Sequence, residues 1–430
     1  MKSIKNISTF GAFSSFNYTM YFIGRSVSQF GTWMQRTAVV WVMYTLTHSP
    51  FMLGLTIFAE QFPSFIFSAF GGVAADRYNR YKIVNITQIA SMAQATLLAI
   101  LVMTKHYVIW EILALSVVLG IINAYDIPAR QTMINEVVSN EDDLPSALSL
   151  SAAMASVAKL LGPALSGFIL ESYGAGICFL INAASFGGVM LSISLMKIPK
   201  TSKQKTSNRP QKNVFAELAE GFAYLRKESS IGWVIVMVCF TSLFVVPYDT
   251  LIPVFAKVIF KGNAQTFGYI SSFIGIGAIG GTVLLASLKK EAPLRKVLLW
   301  STVVLGIGLI CFSRASNFSL AMLFAVFAGF GGVAQFTTCN IIVQSEASSE
   351  MRGRAISILL TAIFGMLPLG SLIVGSISER IGAPTTLLCQ GIAGLIIAAA
   401  FAKILSKKKE DKKLPLQENF VAEEDLMEAV

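Results

Sequence analysis

Apolar residues in this chain gather into twelve long blocks, roughly 18–46, 50–74, 83–104, 108–130, 146–171, 177–196, 231–256, 267–288, 297–313, 318–343, 355–378 and 384–405. At 1.5 Å rise per residue, ~20 apolar residues cross a hydrocarbon layer ~30 Å thick. The blocks reach that length and do not show the one-sided spacing of a surface helix. In hydrocarbon every backbone N–H and C=O must find its partner within the segment, so each block is predicted to be a helix. Composition agrees: 54% of residues are hydrophobic and only 13% charged, against about 25% charged in soluble chains. The expected fold class is an all-α membrane protein with twelve transmembrane helices in two six-helix bundles.

One long polar break divides the blocks six and six. Residues 1–196 are expected to form an N-terminal bundle and 231–405 a C-terminal bundle. Residues 197–230 join them as a basic linker beside anionic lipid. Within it Phe215, Leu218, Phe222 and Leu225 are spaced as an interfacial amphipathic helix. Residues 406–430 read as a disordered tail. A net charge of +10 could point to nucleic acid, but the placement of the charges excludes it. With both termini inside, 26 basic residues fall on inner segments and 5 on outer loops. That is the positive-inside asymmetry, and it puts both termini in the cytoplasm. The first block is too long for the apolar core of a signal peptide and is expected to be a retained helix.

Three cations remain, and they lie inside helices: Arg25, Arg36 and Lys159. Arg25, Gln29, Thr32 and Arg36 share one helical face at spacings of four, three and four. Arg25 lies near the inner end, within reach of the headgroups. Arg36 lies ~15 Å deep, where a cation costs at least ~2.5–3.5 kcal/mol and needs protein or a wet cavity around it. Glu60 in block 2 reaches the same depth from the same side, so the two are expected to pair, either as a fixed ion pair or as one that responds to protons or substrate. Lys159 stands near the midplane of block 5, in a polar stripe with Ser156, Pro163 and Ser166. Gly162-Pro163 should kink that helix. Asp126 and Arg130, four apart near the inner end of block 4, form a favourable helical ion pair. Arg36, Glu60 and Lys159 leave one surplus positive charge, which suits an anionic ligand unless Asp126 neutralises Lys159.

The turn after block 2 supplies Gly72, Asp76, Arg77, Arg80 and Lys82. Here the sequence resembles the major facilitator superfamily, whose loop between helices 2 and 3 has the pattern G-x-x-x-D-R-x-G-R-K/R. Asn79 replaces the usual second glycine; asparagine also tolerates a left-handed turn. A small residue at 72 would allow close helix approach. Asp126-Ile-Pro-Ala-Arg130-Gln131, Gly31-Thr-Trp-Met-Gln35 and Val246-Pro-Tyr-Asp249 resemble the enterobactin-exporter and macrolide-efflux branch, also called transmembrane secretion effectors. The resemblance implies a cytoplasmic gating loop at Gly72, Asp76, Arg77 and Arg80. It also implies a bacterial plasma (inner) membrane location and a cavity lined by helices 1, 4, 7 and 10, which makes Asp249 and Gln335 candidates. In block 5, Gly162, Pro163 and Gly167 match the exporter pattern while Ala158 and Ser166 replace two glycines. The second half faintly repeats the first: Gly280-Gly281 echoes Gly71-Gly72, and Glu346 echoes Glu136.

The five cysteines have no paired spacing, so neither a disulfide framework nor a zinc site is expected. No phosphate-binding GxxxxGK[ST] occurs, so ATP is not the expected energy source. His48 and His106 have no catalytic or metal-ligand pattern, and no cofactor is expected. The expected function is secondary active export of a small organic molecule, siderophore-like and anionic, by proton antiport as a monomer. Alternatives are a multidrug or macrolide efflux transporter, or a non-transporting membrane sensor or scaffold. Against the last, neither the linker nor the tail is long enough for a folded partner-binding domain.

Overall fold

A computed structural model describes residues 11–105, 108–197, 220, 223–226, 229–288, 292–348 and 350–407. Among these there is no strand. The first six long helices are α1 (Phe16–Thr47), α2 (Pro50–Arg77), α3 (Arg80–Thr104), α4 (Ile109–Val137), α5 (Leu144–Tyr173) and α6 (Ala175–Leu195). After the linker, α7 starts as Ser229–Phe244 and continues through irregular helical turns to Ile259. The rest are α8 (Ala264–Ala286), α9 (Leu294–Arg314), α10 (Phe318–Glu346), α11 (Arg352–Ile381) and α12 (Ala383–Lys407). Eleven of the described helices are long and apolar enough to cross a membrane. The exception is α1, whose 32 residues carry the Arg25-to-Arg36 polar stripe.

Local chemistry sets the helix ends. Ser15, Ser49, Asn79, Asn263 and Asn317 each accept a backbone N–H of the helix they precede, a cap worth ~1 kcal/mol. The α1–α2 turn is only His48 and Ser49. His48 takes the left-handed conformation (φ 51°), Ser49 caps α2, and Pro50 occupies its first turn, where no N–H is missed. Asn79, expected to provide a left-handed turn, has φ −64° and serves instead as the cap of α3.

Helices α1 to α6 pack among themselves, chiefly α2 on α4, α1 on α5 and α6, and α3 on α6. Helices α7 to α12 do likewise, chiefly α8 on α10, α9 on α10 and α12, and α7 on α11. Glycine permits the closest of these contacts. A Cβ at Gly71 would lie 1.9 Å from the Ala124 carbonyl oxygen. Gly72, expected to be the close-approach residue, has open space around it; the α2–α4 contact falls one position earlier. In the second half Gly281 meets the Phe330 carbonyl and Ala334 in the same way. Gly71 and Gly281 are 210 positions apart, as are Glu136 and Glu346. Arg80 at the start of α3 pairs with Glu136, and Arg295 at the start of α9 pairs with Glu346. The faint repeat in sequence is therefore a repeat of packing and of ion pairs. Lys289, Lys290 and Glu291 lie outside the described residues, as do Phe215, Leu218, Phe222 and the tail beyond Lys407. Leu225, expected at the membrane interface, is buried in a core with Ile231, Val234 and Ile342.

A chain of buried amides holds the first half together. Asn182 Nδ2 donates to Gln35 Oε1 (2.7 Å), Gln35 Nε2 to Gln94 Oε1 (2.9 Å), and Gln94 Nε2 to the Leu115 carbonyl (3.1 Å), linking α6, α1, α3 and α4. Gln35→Leu removes two of these bonds at ~0.6–2 kcal/mol each. The thermal unfolding midpoint in lipid nanodiscs is expected to fall, whereas Gln344→Leu on an exposed face should leave it unchanged.

Candidate functional site

The site is built by a break in α7. Pro247 and Pro253 cannot donate ladder hydrogen bonds. Between Val246 and Leu251 the helix tightens into 3-10 turns, with Pro247 at φ −70°, ψ 17°, and Phe255–Ile259 widens into a π turn. Such interruptions recur at binding sites inside membranes. Here the break presents Tyr248 and Asp249 to a cavity of ≈ 190 Å³, which also receives Lys159 from α5, Thr241 from α7, and Gln335 and Phe336 from α10. Among the described residues Lys159 is the only one from the first half to line it. Gln335 donates to Thr241 Oγ1 (2.8 Å), and its own Oε1 is buried without a partner among the described residues.

Asp249 lies deep between the halves, yet its side chain is open to the cavity. Lys159 and Arg36 both act on it electrostatically. Among the described residues neither comes within the 4.0 Å of an ion pair with it: Lys159 and Asp249 both line the cavity unpaired, and Arg36 acts from outside its lining. Counting along a regular helix places Asp249 toward the outer side; the two prolines bring it to the cavity. The Arg36–Glu60 pair expected from the sequence does not form. Arg36 is half-buried, with its guanidinium carbon 5.6 Å from the Trp33 ring centre, and Glu60 is half-buried with no ion pair among the described residues. Although α1 and α2 adjoin in sequence, α2 packs mainly on α4 and α11.

Asp126 is not the counter-charge of Lys159 either. It pairs with Arg130 and accepts from Thr87 Oγ1 (2.7 Å) and Gln88 Nε2 (3.0 Å), all within the first half. Gly162 and Pro163 sit in α5, which runs on past them. They mark close contacts, Gly162 against Trp33 of α1 and the Pro163 carbonyl against Gly268 of α8.

The two groups of helices meet along α2–α11 and α5–α8. Both seams run from the midplane to the end that bears the α1–α2 turn. Gly54 lies against Gly375 and the Ser371 carbonyl; Gly268 lies against Gly167 and the Pro163 carbonyl. Ser272 Oγ donates to the Leu160 carbonyl (2.8 Å), and Trp41 stacks on Phe267 at 5.9 Å. At the rim, Ser49 Oγ (2.8 Å) and the Phe51 N–H (3.2 Å) donate to Glu379 of α11. At the opposite end α5 stays packed on the first half through Ala147, to whose carbonyl Tyr18 donates, but one face stands open: Ala152, Ala153, Ala155, Ser156 and Val157 are all exposed. There the ion pairs Arg80–Glu136 and Arg295–Glu346 each stay within one half. In the α2–α3 turn Asp76, Arg77 and Lys82 are exposed, and Asp76 has no ion pair among the described residues. The cavity is thus shut toward the α1–α2 end and open toward the α2–α3 end.

Residues 7–429 match the sequence model of the transmembrane secretion effectors. The chain belongs to that family of major facilitator transporters. It is 26% identical over 401 residues to the staphyloferrin A transporter of Staphylococcus aureus (strain NCTC 8325 / PS 47), covering 91% of this chain and 97% of the relative. It is 21% identical over 398 residues to macrolide efflux protein A of Streptococcus pyogenes, covering 92% and 97%. Among solved structures, nucleoside transporter NupG superposes with a TM-score of 0.69 at 16% identity, covering 90% of this chain and 98% of that one. A bacterial homologue of the human lysosomal transporter Spinster, inward-facing and unoccupied, gives 0.71 at 15%, covering 93% and 99%. This secretion effector is accordingly a multi-span membrane transporter and not an enzyme. Sequence reasoning alone missed the cavity role of Tyr248 and the pairing of glycines across the seams. The Pro247–Pro253 spacing was the available signal for the first.

Proposed function

We propose that this secretion effector is a secondary active exporter of a small organic molecule carrying anionic groups, siderophore-like in chemistry, that works as a monomer in a bacterial plasma (inner) membrane. Twelve helices, α1 included, cross the bilayer with both termini in the cytoplasm. The excess of basic residues on the α2–α3 side supports that orientation, and the cavity then opens to the cytoplasm. The observation that carries the proposal is Lys159 facing Asp249 from the opposite half, with Arg36 in electrostatic range. Two cations to one acid leave a net positive charge for an anion to neutralise. The seams are small-residue contacts that can part as the halves rock, exposing the same cavity to the other side. Exchange for protons supplies the energy, and for an anionic cargo Glu60 is the acid able to carry them.

Macrolide or multidrug efflux is a second reading. Val238, Ile274, Phe336 and Ile363 make much of the cavity wall apolar, which suits an amphipathic drug. The two are separated by measuring secreted siderophore, and drug tolerance, in a deletion strain under iron limitation. A drop in secreted siderophore restored by the intact gene is expected; unchanged secretion with lowered drug tolerance assigns the chain to drug efflux. For proton exchange, Glu60→Gln should reduce substrate-driven proton release in everted vesicles, and full release would remove Glu60 from that role.

A further inference from the structure

A second cavity, of ≈ 180 Å³, lies wholly within the first half between α1, α4 and α5. Tyr21, Arg25, Asp126, Arg130, Gln131 and Ser151 line it. We propose that it binds one carboxylate or phosphate group. Arg130 is only 7% exposed. One of its terminal nitrogens, Nη2, goes to Asp126, while its Nε and Nη1 are buried with no hydrogen-bond partner among the described residues. Donors left in this state are uncommon, because each forfeits its hydration with nothing in return. Ser151, on the facing helix, lines the same cavity beside Tyr18.

The protein's own acid cannot fill them. Asp126 Oδ1 is taken by Thr87 and Gln88, and Oδ2 by Arg130. A second cation, Arg25, stands in electrostatic range of Arg130, Asp126 and Tyr21, and joins no ion pair among the described residues. Two guanidinium groups to one carboxylate leave a surplus positive charge inside the bundle. An oxyanion supplies what is missing: charge for the arginines and acceptor oxygens for the free Arg130 nitrogens. A cationic or purely apolar ligand supplies neither. The volume corresponds to about six waters, so the site holds one terminal group of a molecule rather than the whole of a large one.

Ser151 is eight residues, ~12 Å along α5, from Lys159, on the side where the halves stand apart. Under the orientation argued above, an anionic group held here waits on the cytoplasmic side of the central cavity. Its place on the transport path rests on that reading; its chemistry does not.

The test uses the full chain in phosphatidylcholine nanodiscs, with citrate and inorganic phosphate as probes, read by calorimetric titration and by the unfolding midpoint. Saturable binding is expected, weakened about tenfold or more by Arg25→Gln and less by Ser151→Ala. Both variants leave the Asp126–Arg130 pair in place, and Ser151→Ala serves if Arg25→Gln fails to fold. Lys403→Gln, exposed on α12, should leave binding intact. A parallel set of discs containing phosphatidylglycerol identifies the source of the group. Loss of citrate binding there assigns the site to a lipid headgroup; unchanged binding assigns it to a soluble anion. The proposal fails if no probe binds and phosphatidylglycerol does not raise the midpoint. It also fails if binding survives Arg25→Gln and Ser151→Ala but is lost in Lys159→Gln, an outcome that leaves the central cavity's function standing.

Discussion

Lys159→Gln and Asp249→Asn are expected to change substrate affinity in opposite directions, and the direction depends on the charge of the cargo. A unit charge ~4 Å away is worth ~1 kcal/mol at the dielectric of water and ~4 kcal/mol at the effective value near a protein surface. A cavity open at one end lies toward the lower limit, so about tenfold in affinity is expected from either change. For an anionic cargo, Lys159→Gln removes an attracting charge and weakens binding about tenfold. Asp249→Asn removes the group that competes with the cargo for Lys159 and Arg36 and tightens it by a similar factor. Tight binding does not make a fast transporter: a cargo held about tenfold more strongly leaves more slowly, so turnover falls in both variants. For a cationic drug the signs invert. Binding measured on the purified variants with one anionic and one cationic ligand decides the matter, and equal effects on both ligands would show that the cavity charges are not what the substrate meets.

The same electrostatics constrain the proton. An anion that takes Lys159 and Arg36 leaves Asp249 without its neutralising partners, which favours protonated Asp249. Proton and anion would then ride together, whereas exchange requires one to leave as the other arrives. With an anionic cargo the exchanged proton therefore belongs on an acid the cargo does not uncover, and Glu60 in α2 is half-buried without an ion-pair partner among the described residues. With a cationic cargo Asp249 itself can serve, since cation and proton compete for one carboxylate. Asp249→Asn should accordingly uncouple drug export from proton entry but leave proton coupling of anion export in place.

Features that depend on one helix at a time were legible in the sequence. Block length and apolarity predicted long helices, eleven of which among the described residues are long and apolar enough to cross a membrane. The spacing of Asp126 and Arg130 predicted an ion pair, which forms. Charges buried at midplane depth predicted a wet cavity, and Lys159 lines one. What remained hidden depends on which helices touch. Arg36 and Glu60 are at matching depths, but depth says nothing about azimuth, and α2 turns toward α4 and α11. Gly71 and Gly72 are adjacent small residues, and only the rotation of α2 decides that Gly71 meets Ala124 while Gly72 meets nothing. The depth of Asp249 comes from counting residues along a regular helix, and α7 is not regular there. Arg25 reads as a snorkelling cation because its neighbours, Arg130 and Asp126, come from a helix a hundred residues away.

Gly268→Leu is expected to trap the transporter with its α1–α2 end open. A Cβ at Gly268 would lie 2.5 Å from the Pro163 carbonyl oxygen, and one at Gly54 would lie 2.3 Å from that of Ser371. Backbone cannot yield at those distances, so the seam must part. Overpacking of this kind costs ~1–3 kcal/mol, and the cost falls only on the state in which the seam is shut. At ~1.4 kcal/mol per tenfold, the ratio of shut to open moves by roughly fivefold to a hundredfold or more. Gly71→Ala supplies the contrast. Its Cβ would lie 1.9 Å from the Ala124 carbonyl oxygen, a worse clash, but both helices belong to one half and keep their contact in every state. That variant should lose thermal stability without a shift in population. Spin labels at positions 148 and 344, exposed on α5 and α10, report the width of the α2–α3 end. Gly268→Leu should shorten the label distance as that end closes, and Gly71→Ala should leave it where it is in the unaltered protein. Transport falls in both, for different reasons: one loses folded protein, the other spends its cycle on one side of the membrane. A folded Gly268→Leu protein with an unshifted distance would mean that the glycine seams are static packing and that the halves separate elsewhere.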